Sequence, residues 1–292
     1  MNMSDILHVT GELDCLPYYI KVAPALSNFL KNKTLATRVF IPKSEIPYFI
    51  KRGSKDGPLY VSDLLKYGEP MIKLRKGKHL KDVRNKLNKK QELIWEYFVP
   101  RKLIDLHYSP NGEKPNLPLS EIYYDIDIKR VNAEKAREVT ELLLECVEKD
   151  EDFNKLVKFK TYILWTGKSF HLIIRFKKKQ KASFYDKYIG LKEDNFTDKW
   201  ARQISEKTKT KVVSAHEKIE GEIILDPSQS PSEKLARSPF SLHIKKNGRE
   251  VDGVCVPVSK EEIKTKKLTN ELKKLNPDDV VANLDKYKKL LS

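Results

Sequence analysis

Apolar residues along the chain recur at two spacings, and the alternation between them outlines the elements. LPYYIKVAPALSNFLKN repeats at helical spacing, LATRVFI reads as a strand, and a helical run extends from Lys78 to Phe98 with Leu80, Val83, Leu87, Ile94 and Trp95 as its apolar positions. HYSPNGEKPNLP, residues 107–118, is rich in Pro, Asn and Gly and predicts a loop. EIYYDIDIKR, residues 121–130, then alternates as a strand does. Ile122, Tyr124, Ile126 and Ile128 share one face, and Tyr123, Asp125 and Asp127 share the other. Asn132 is placed to cap a helix running to Lys149, with Ala136, Val139, Leu143 and Val147 as its buried stripe. KTYILWTGKSFHLIIRF gives two apolar runs broken at Thr166-Gly167-Lys168, a hairpin. Residues 180–220 read as polar, mostly helical linking structure. GEIILD and FSLHIKKNGREVDGVCVPV return to strands, with Asn247-Gly248 as a turn signal. Asn276-Pro277 starts a short amphipathic helix over 277–291 carrying Val280, Leu284 and Leu291.

Strand, helix and hairpin in that order predict a mixed α/β (α+β) protein whose sheet is of the ferredoxin-like or RNA-recognition type, preceded by an N-terminal α/β lobe. The division expected is 1–120 for the lobe, 121–258 for the core and 259–292 for a helical tail. The tail either packs on its own core or docks a partner.

Composition changes the picture in one direction. Of 292 residues, 57 are Lys or Arg and 41 Asp or Glu, so the formal charge of +16 favours a polyanionic partner, most simply nucleic acid. The alternative is a merely lysine-rich surface. In the run from Lys78 to Phe98, Lys81, Arg84 and Lys89 crowd the polar side, which reads either as a solvated face or as one turned to DNA. Three isolated cysteines, Cys15, Cys146 and Cys255, make neither a disulfide framework nor a zinc ribbon and fit a reducing compartment. No leader-like N-terminus and no apolar run of roughly 18 residues is present, so a cytoplasmic, nucleoid-associated protein without membrane contact is expected.

Against that basic background, carboxylates on one strand face need an explanation. Asp125 and Asp127 repel each other unless a cation or strong donors sit nearby, and a divalent metal is the obvious candidate. A salt-bridged surface pair is the structural alternative. Two further segments carry chemistry. In TGKSFH, Gly167 permits a tight turn, Thr166, Lys168 and Ser169 offer donors to phosphate, and His171 points with Ser169 to the polar side. In ILDPSQSPSEKLARSPFSLH, Asp226 ends a strand, and Arg237, Ser241 and His243 follow. Arginine binds phosphate oxygens as a fork, and carboxylates bind Mg2+, so the three segments suit a triphosphate and metal site.

In this order the segments resemble the archaeo-eukaryotic primase superfamily, most closely the polymerase domain of end-joining DNA ligases and stand-alone primase-polymerases. The DxD pair, WTGKSFH, Asp226 and ARSPFSLH carry the likeness, and YYIKVAPAL, ATRVFIPKSEIPYFIKRG and LIDLHYSPNG extend it over residues 16–258. WTGKSFH departs from the family's SGxxGxH pattern, with Ser169 at its second glycine. SLH is an ending typical of replicative primase small subunits, but no matched zinc-knuckle set accompanies it.

The resemblance implies nucleotidyl transfer from NTPs or dNTPs to a 3′-hydroxyl by two Mg2+ or Mn2+ ions on Asp125, Asp127 and Asp226. It also implies nucleotide contacts from Thr166, Gly167, Lys168, Ser169, His171, Arg237, His243 and His107. Phosphates of a primer-template or gapped DNA are assigned to Lys51, Arg52, Lys81, Arg84 and Lys89, contacts that position a strand without reading its sequence. Family members commonly accept ribonucleotides where no bulky side chain meets the 2′-hydroxyl, and Tyr123, on the acid-bearing face, is the side chain that leaves the choice of sugar open. The role implied is end-joining repair or gap filling, with a ligase or a Ku-like end binder as partner. The alternatives are the catalytic small subunit of a replicative primase with its large subunit, a single-strand-binding module without catalysis, or a metal-dependent nuclease.

Overall fold

The computed structural model describes residues 4–129, 131–208 and 210–292, so Arg130, at the end of the acid-bearing segment, lies outside the described residues. The chain divides into two compact units that interleave in sequence. The first takes the chain up to Tyr108 with Arg237–Val256 and Leu275–Ser292, and the second takes Ser109–Ala236 with Pro257–Lys274. The linear division at 120 and 258 therefore gives way to one in which later segments return to complete the first unit and extend the second.

The first unit is built on a sheet in the order Tyr48–Arg52, Leu35–Phe40, Asp105–Tyr108, Ala236–Arg237. The helices Leu16–Leu26 and Val61–Arg75 pack on each other, the first buried nearly all round and the second along one side. A buried ion pair ties this core together. Arg75 Nη1 lies 2.6 and 2.7 Å from the two Asp14 oxygens, and its Nη2 donates to the Phe98 carbonyl at 2.9 Å. The guanidinium also stacks 5.0 Å from the Trp95 ring.

The helix expected over Lys78–Phe98 is two helices, Leu80–Arg84 and Lys89–Tyr97. The break is local: the Asn88 side chain accepts from the amides of Lys90 and Gln91 while Gln91 returns a bond to the Asn88 amide, a reciprocal cap that starts a new helix there. Residues 277–291 divide likewise into Pro277–Ala282 and Leu284–Leu290, the first capped by Asn276 and Asp279. Val280, Tyr287 and Leu291 are buried within the first unit, where Tyr287 meets Phe240 edge-on, so the tail's apolar stripe is used internally.

The second unit is organised by a six-stranded mixed sheet: Val256–Val258, Phe159–Trp165, Phe170–Gln180, Leu119–Ile128, Ile223–Asp226, Val212–Ser214. All pairings with described register are antiparallel except the last, which is parallel. Three-residue Val212–Ser214 lies where linking structure was expected, too short for its alternation to show. The helix Ala133–Lys149 starts where predicted, with Asn132 Oδ1 accepting from the Lys135 amide at 2.9 Å. Arg137 on this helix donates to Ile263 O, which fastens the later segment to the same unit. The Thr166–Ser169 hairpin is also as expected. Gly167 has φ of +98°, a conformation that favours glycine, and the Thr166 amide closes the turn on Ser169 O at 2.9 Å.

Candidate active site

The acid-bearing strand sits inside the sheet with neighbours on both sides. In register, His171 of one neighbour stands opposite Asp125, and Asp226 of the other stands opposite the same residue. Residues paired across a ladder present their side chains on a common face, so His171, Asp125 and Asp226 form one row across three strands, with Asp127 two residues along. Residues 46 and 101 positions apart in sequence thereby become neighbours of Asp125.

Each group in the row has a partner. His171 Nε2 is 3.1 Å from Asp125 Oδ1, and Gln229 Nε2 donates to Asp125 Oδ2 at 3.5 Å. Asp226, almost fully buried, accepts from the Ser228 amide at 2.8 Å and meets His216 Nδ1 at 2.8 Å. Lys218 pairs with Asp127 Oδ1. His216, Lys218 and Gln229 escaped the sequence reading. The first two lie on the loop leading into the Ile223–Asp226 strand, and that polar stretch between two strands was the available signal.

Burial, and then the charge of Asp125, raise the pKa of the Asp127 carboxyl, with Lys218 opposing. A carboxyl whose folded value is raised favours the folded state below its unfolded pKa, and that contribution is lost as pH rises through the folded value. In metal-free buffer, Asp127→Asn is therefore expected to raise the melting temperature at pH 7, with the difference vanishing near pH 3.5, about where unfolded carboxyls protonate. Calorimetry at the two pH values checks this. A variant less stable at pH 7 would show that the Lys218 pair outweighs the repulsion.

Among the described residues, no three or more His, Cys, Asp or Glu form a ready-made metal cluster. Each acid is instead turned to a neighbour of its own. The donor set nevertheless suits a hard divalent cation: carboxylate oxygens from adjacent strands on one face, with an acid whose ionisation is opposed by burial and by a neighbouring acid. Glu121, on the same strand face, is different. It is fully buried, accepts from Arg175 Nε at 2.9 Å and has Nη2 of the same guanidinium 2.8 Å from the same oxygen, a structural ion pair.

At the hairpin, Thr166 and Ser169 are buried and close the turn on each other, and the Ser169 hydroxyl donates to the carbonyl of Ile126, between the two acids. Gly167 and exposed Lys168 form the tip. Tyr123, the side chain on which the choice of sugar was left open, is fully buried with its hydroxyl on His171.

The remaining candidates belong to the first unit. His107 is in the strand Asp105–Tyr108 and not in a loop, because Ala36 pairs with it, and Ala36 also pairs with Arg52, so His107 and Arg52 flank one small residue. One row on, Arg38 pairs with fully buried Asp105. Arg237 joins them, 3.3 Å from the same Asp105 oxygen, and donates to Leu242 O at 3.0 Å. His243 is half-buried on the strand Leu242–Ile244. Lys81, Arg84 and Lys89 are exposed, whereas Lys51 is committed to Asp56 and Glu96 at 3.1 and 3.2 Å.

The fold has counterparts among known proteins. A family model described as LigD, primase-polymerase domain, matches residues 12–291. The chain belongs to that family. Among solved structures, the polymerase domain of Mycobacterium tuberculosis ligase D, in complex with DNA, is similar with a TM-score of 0.59 over 96% of this chain and 91% of that one, at 16% identity. That likeness shows a shared fold. No curated protein matches the chain. The expectation of a primase-polymerase fold of the end-joining type is thus borne out, and family membership places the chemistry among nucleotidyl transfers.

Proposed function

We propose that this primase-polymerase domain is a template-dependent polymerase that adds nucleotides to a 3′-hydroxyl during DNA end joining or gap filling. One observation carries the reading: Asp125 and Asp226 stand opposite each other across paired strands with Asp127 on the same face, in a chain of strongly positive net charge. Three acids on a protein meant for a polyanion are electrostatically adverse unless cations lie between them.

In this proposal Asp125, Asp127 and Asp226 hold two Mg2+ or Mn2+ ions. When bound, such ions stabilise both the attacking and the leaving oxygen of an in-line displacement. The chain's own residues do the rest. His171 keeps one oxygen of Asp125 fixed, and the Ser228 amide keeps Asp226 oriented. Lys218, more than half exposed, neutralises Asp127 until a cation replaces it. Lys168, at the exposed hairpin tip of the same unit, is the candidate for triphosphate oxygens.

Exposed Lys81, Arg84 and Lys89, with Arg52, are proposed to meet DNA phosphates. Binding should then be nearly indifferent to sequence and steep in salt, falling about 10³-fold between 50 and 200 mM if some six phosphates are neutralised. A flat affinity measured by anisotropy over that range would contradict the surface. Labelled primer-template in single turnover, with and without nucleoside triphosphates, separates the readings: extension for a polymerase, shortening for a nuclease, retardation alone for a binding module.

A further inference from the structure

His171 is engaged at both ring nitrogens. Nε2 faces Asp125 Oδ1 at 3.1 Å, and Nδ1 meets the hydroxyl of Tyr123. Strand geometry explains the meeting: Tyr123 and Asp125 share a face, Asp125 stands opposite His171, and Tyr123 pairs with Ile173, two residues beyond it. Tyr123 thus lies diagonally across the ladder from His171, within reach of an aromatic side chain. The two rings are 4.8 Å apart, tilted by 55°. Tyr123 is fully buried and His171 nearly so, which leaves little water to compete for either bond. On the other side His171 is paired with buried Leu164, so its polar contacts in the ladder run toward the acid strand.

A buried position in a sheet needs only an apolar side chain, and a phenylalanine would fill it equally well. A buried tyrosine hydroxyl, by contrast, requires a partner, and here that partner holds an acid of the site. The direction of the bonds follows from donor chemistry. An ionised carboxylate only accepts, so the hydrogen between His171 and Asp125 is on Nε2, and a neutral ring then has its acceptor at Nδ1. A phenol supplies the matching donor.

We propose that Tyr123 is a positioning residue: by donating to Nδ1 it fixes His171 as the Nε2–H tautomer, which holds Asp125 Oδ1 and so orients the carboxylate for a cation. The consequence for the cation rests on the two-ion reading above. The tautomer does not. Outer hydrogen bonds of this kind orient the groups that touch a metal, and losing one commonly costs 10–100-fold in affinity or activity.

The first test is nitrogen-15 NMR of the histidine ring nitrogens in the full, metal-free chain, with the His171 signals identified by their loss in His171→Ala. The expected result is a protonated Nε2 and a bare Nδ1 in the wild type, and a mixture of tautomers in Tyr123→Phe. A wild-type Nδ1–H tautomer, or a ring protonated at both nitrogens, overturns the proposal without reference to any variant's folding.

The second test is Mn2+ titration of the same chain, without DNA or nucleotide, read by electron paramagnetic resonance of the free ion. Tyr123→Phe should weaken binding by about tenfold. In the His171→Ala background the same change should do nothing further, because the ring it positions is gone. A purely structural tyrosine would lower stability equally in both backgrounds and leave Mn2+ affinity unmoved, and that result overturns the positioning role. A wild-type chain that binds no Mn2+ would overturn the two-ion reading, and the consequence for Asp125 with it. The NMR result tells that failure apart from failure of the Tyr123–His171 bond.

Discussion

Asp125→Ala and Asp127→Ala should each reduce single-turnover nucleotide addition by about 10³-fold or more while leaving DNA retardation near the wild-type level. The size follows from where the acids stand. Removing one preorganised group that stabilises developing charge costs about 10²–10³-fold, and an acid shared between two cations contributes more than a single hydrogen bond. The binding arm of the experiment distinguishes lost chemistry from lost structure. Phosphate contacts are assigned to Arg52, Lys81, Arg84 and Lys89, none of which the substitutions touch. Loss of the negative charge should, if anything, tighten retardation slightly at low salt. Folding should survive, since Asp127 is disfavoured as an anion beside Asp125 when no cation is present. Extension above a few per cent of wild type in either variant would remove the acids from the mechanism.

The largest effect on stability is expected far from the acids. Arg75→Leu should destabilise the chain by about 3–5 kcal/mol, because it leaves Asp14 as an uncompensated charge in the interior of the first unit. Both side chains are almost wholly enclosed, and the arginine loses its bond to Phe98 O and its stacking on Trp95 as well. Adding Asp14→Asn to Arg75→Leu should recover part of the loss, since an amide is far easier to bury than a lone carboxylate. Urea denaturation of the three variants checks this. A single-variant loss under about 1 kcal/mol would show that water reaches Asp14.

What could be read from the sequence was what local rules decide. Strand alternation placed Asp125 and Asp127 on one face, Asn132 announced its helix, and Gly167 and Gly248 marked their turns, because side-chain period, caps and positive φ are set within a few residues. The break at Asn88 was also local, in an Asn followed three positions later by Gln, but the continuing apolar pattern on both sides concealed it. What could not be read was pairing at a distance. Nothing near Asp125 says that His171 and Asp226 stand opposite it, since register depends on how whole strands align. The same holds for Arg237 and Asp105, 132 positions apart. His216 and Lys218 reach the acids from a loop, where no periodicity tells which way a side chain points. Tyr123 was placed correctly on the acid face, yet burial and the bond to His171 gave it a different part to play.

The interleaved course of the chain carries a mechanical consequence. Both described ends belong to the first unit, and the Ile6 amide donates to Asp278 Oδ1 at 3.0 Å, joining the beginning of the chain to the segment near its finish. The second unit is thus an excursion between returns, not an appendage on one end. A stretching force applied across residues 6 and 278 would load that bond directly. With handles attached there in an optical trap, the Ile6–Asp278 clasp should yield as an early, separate event.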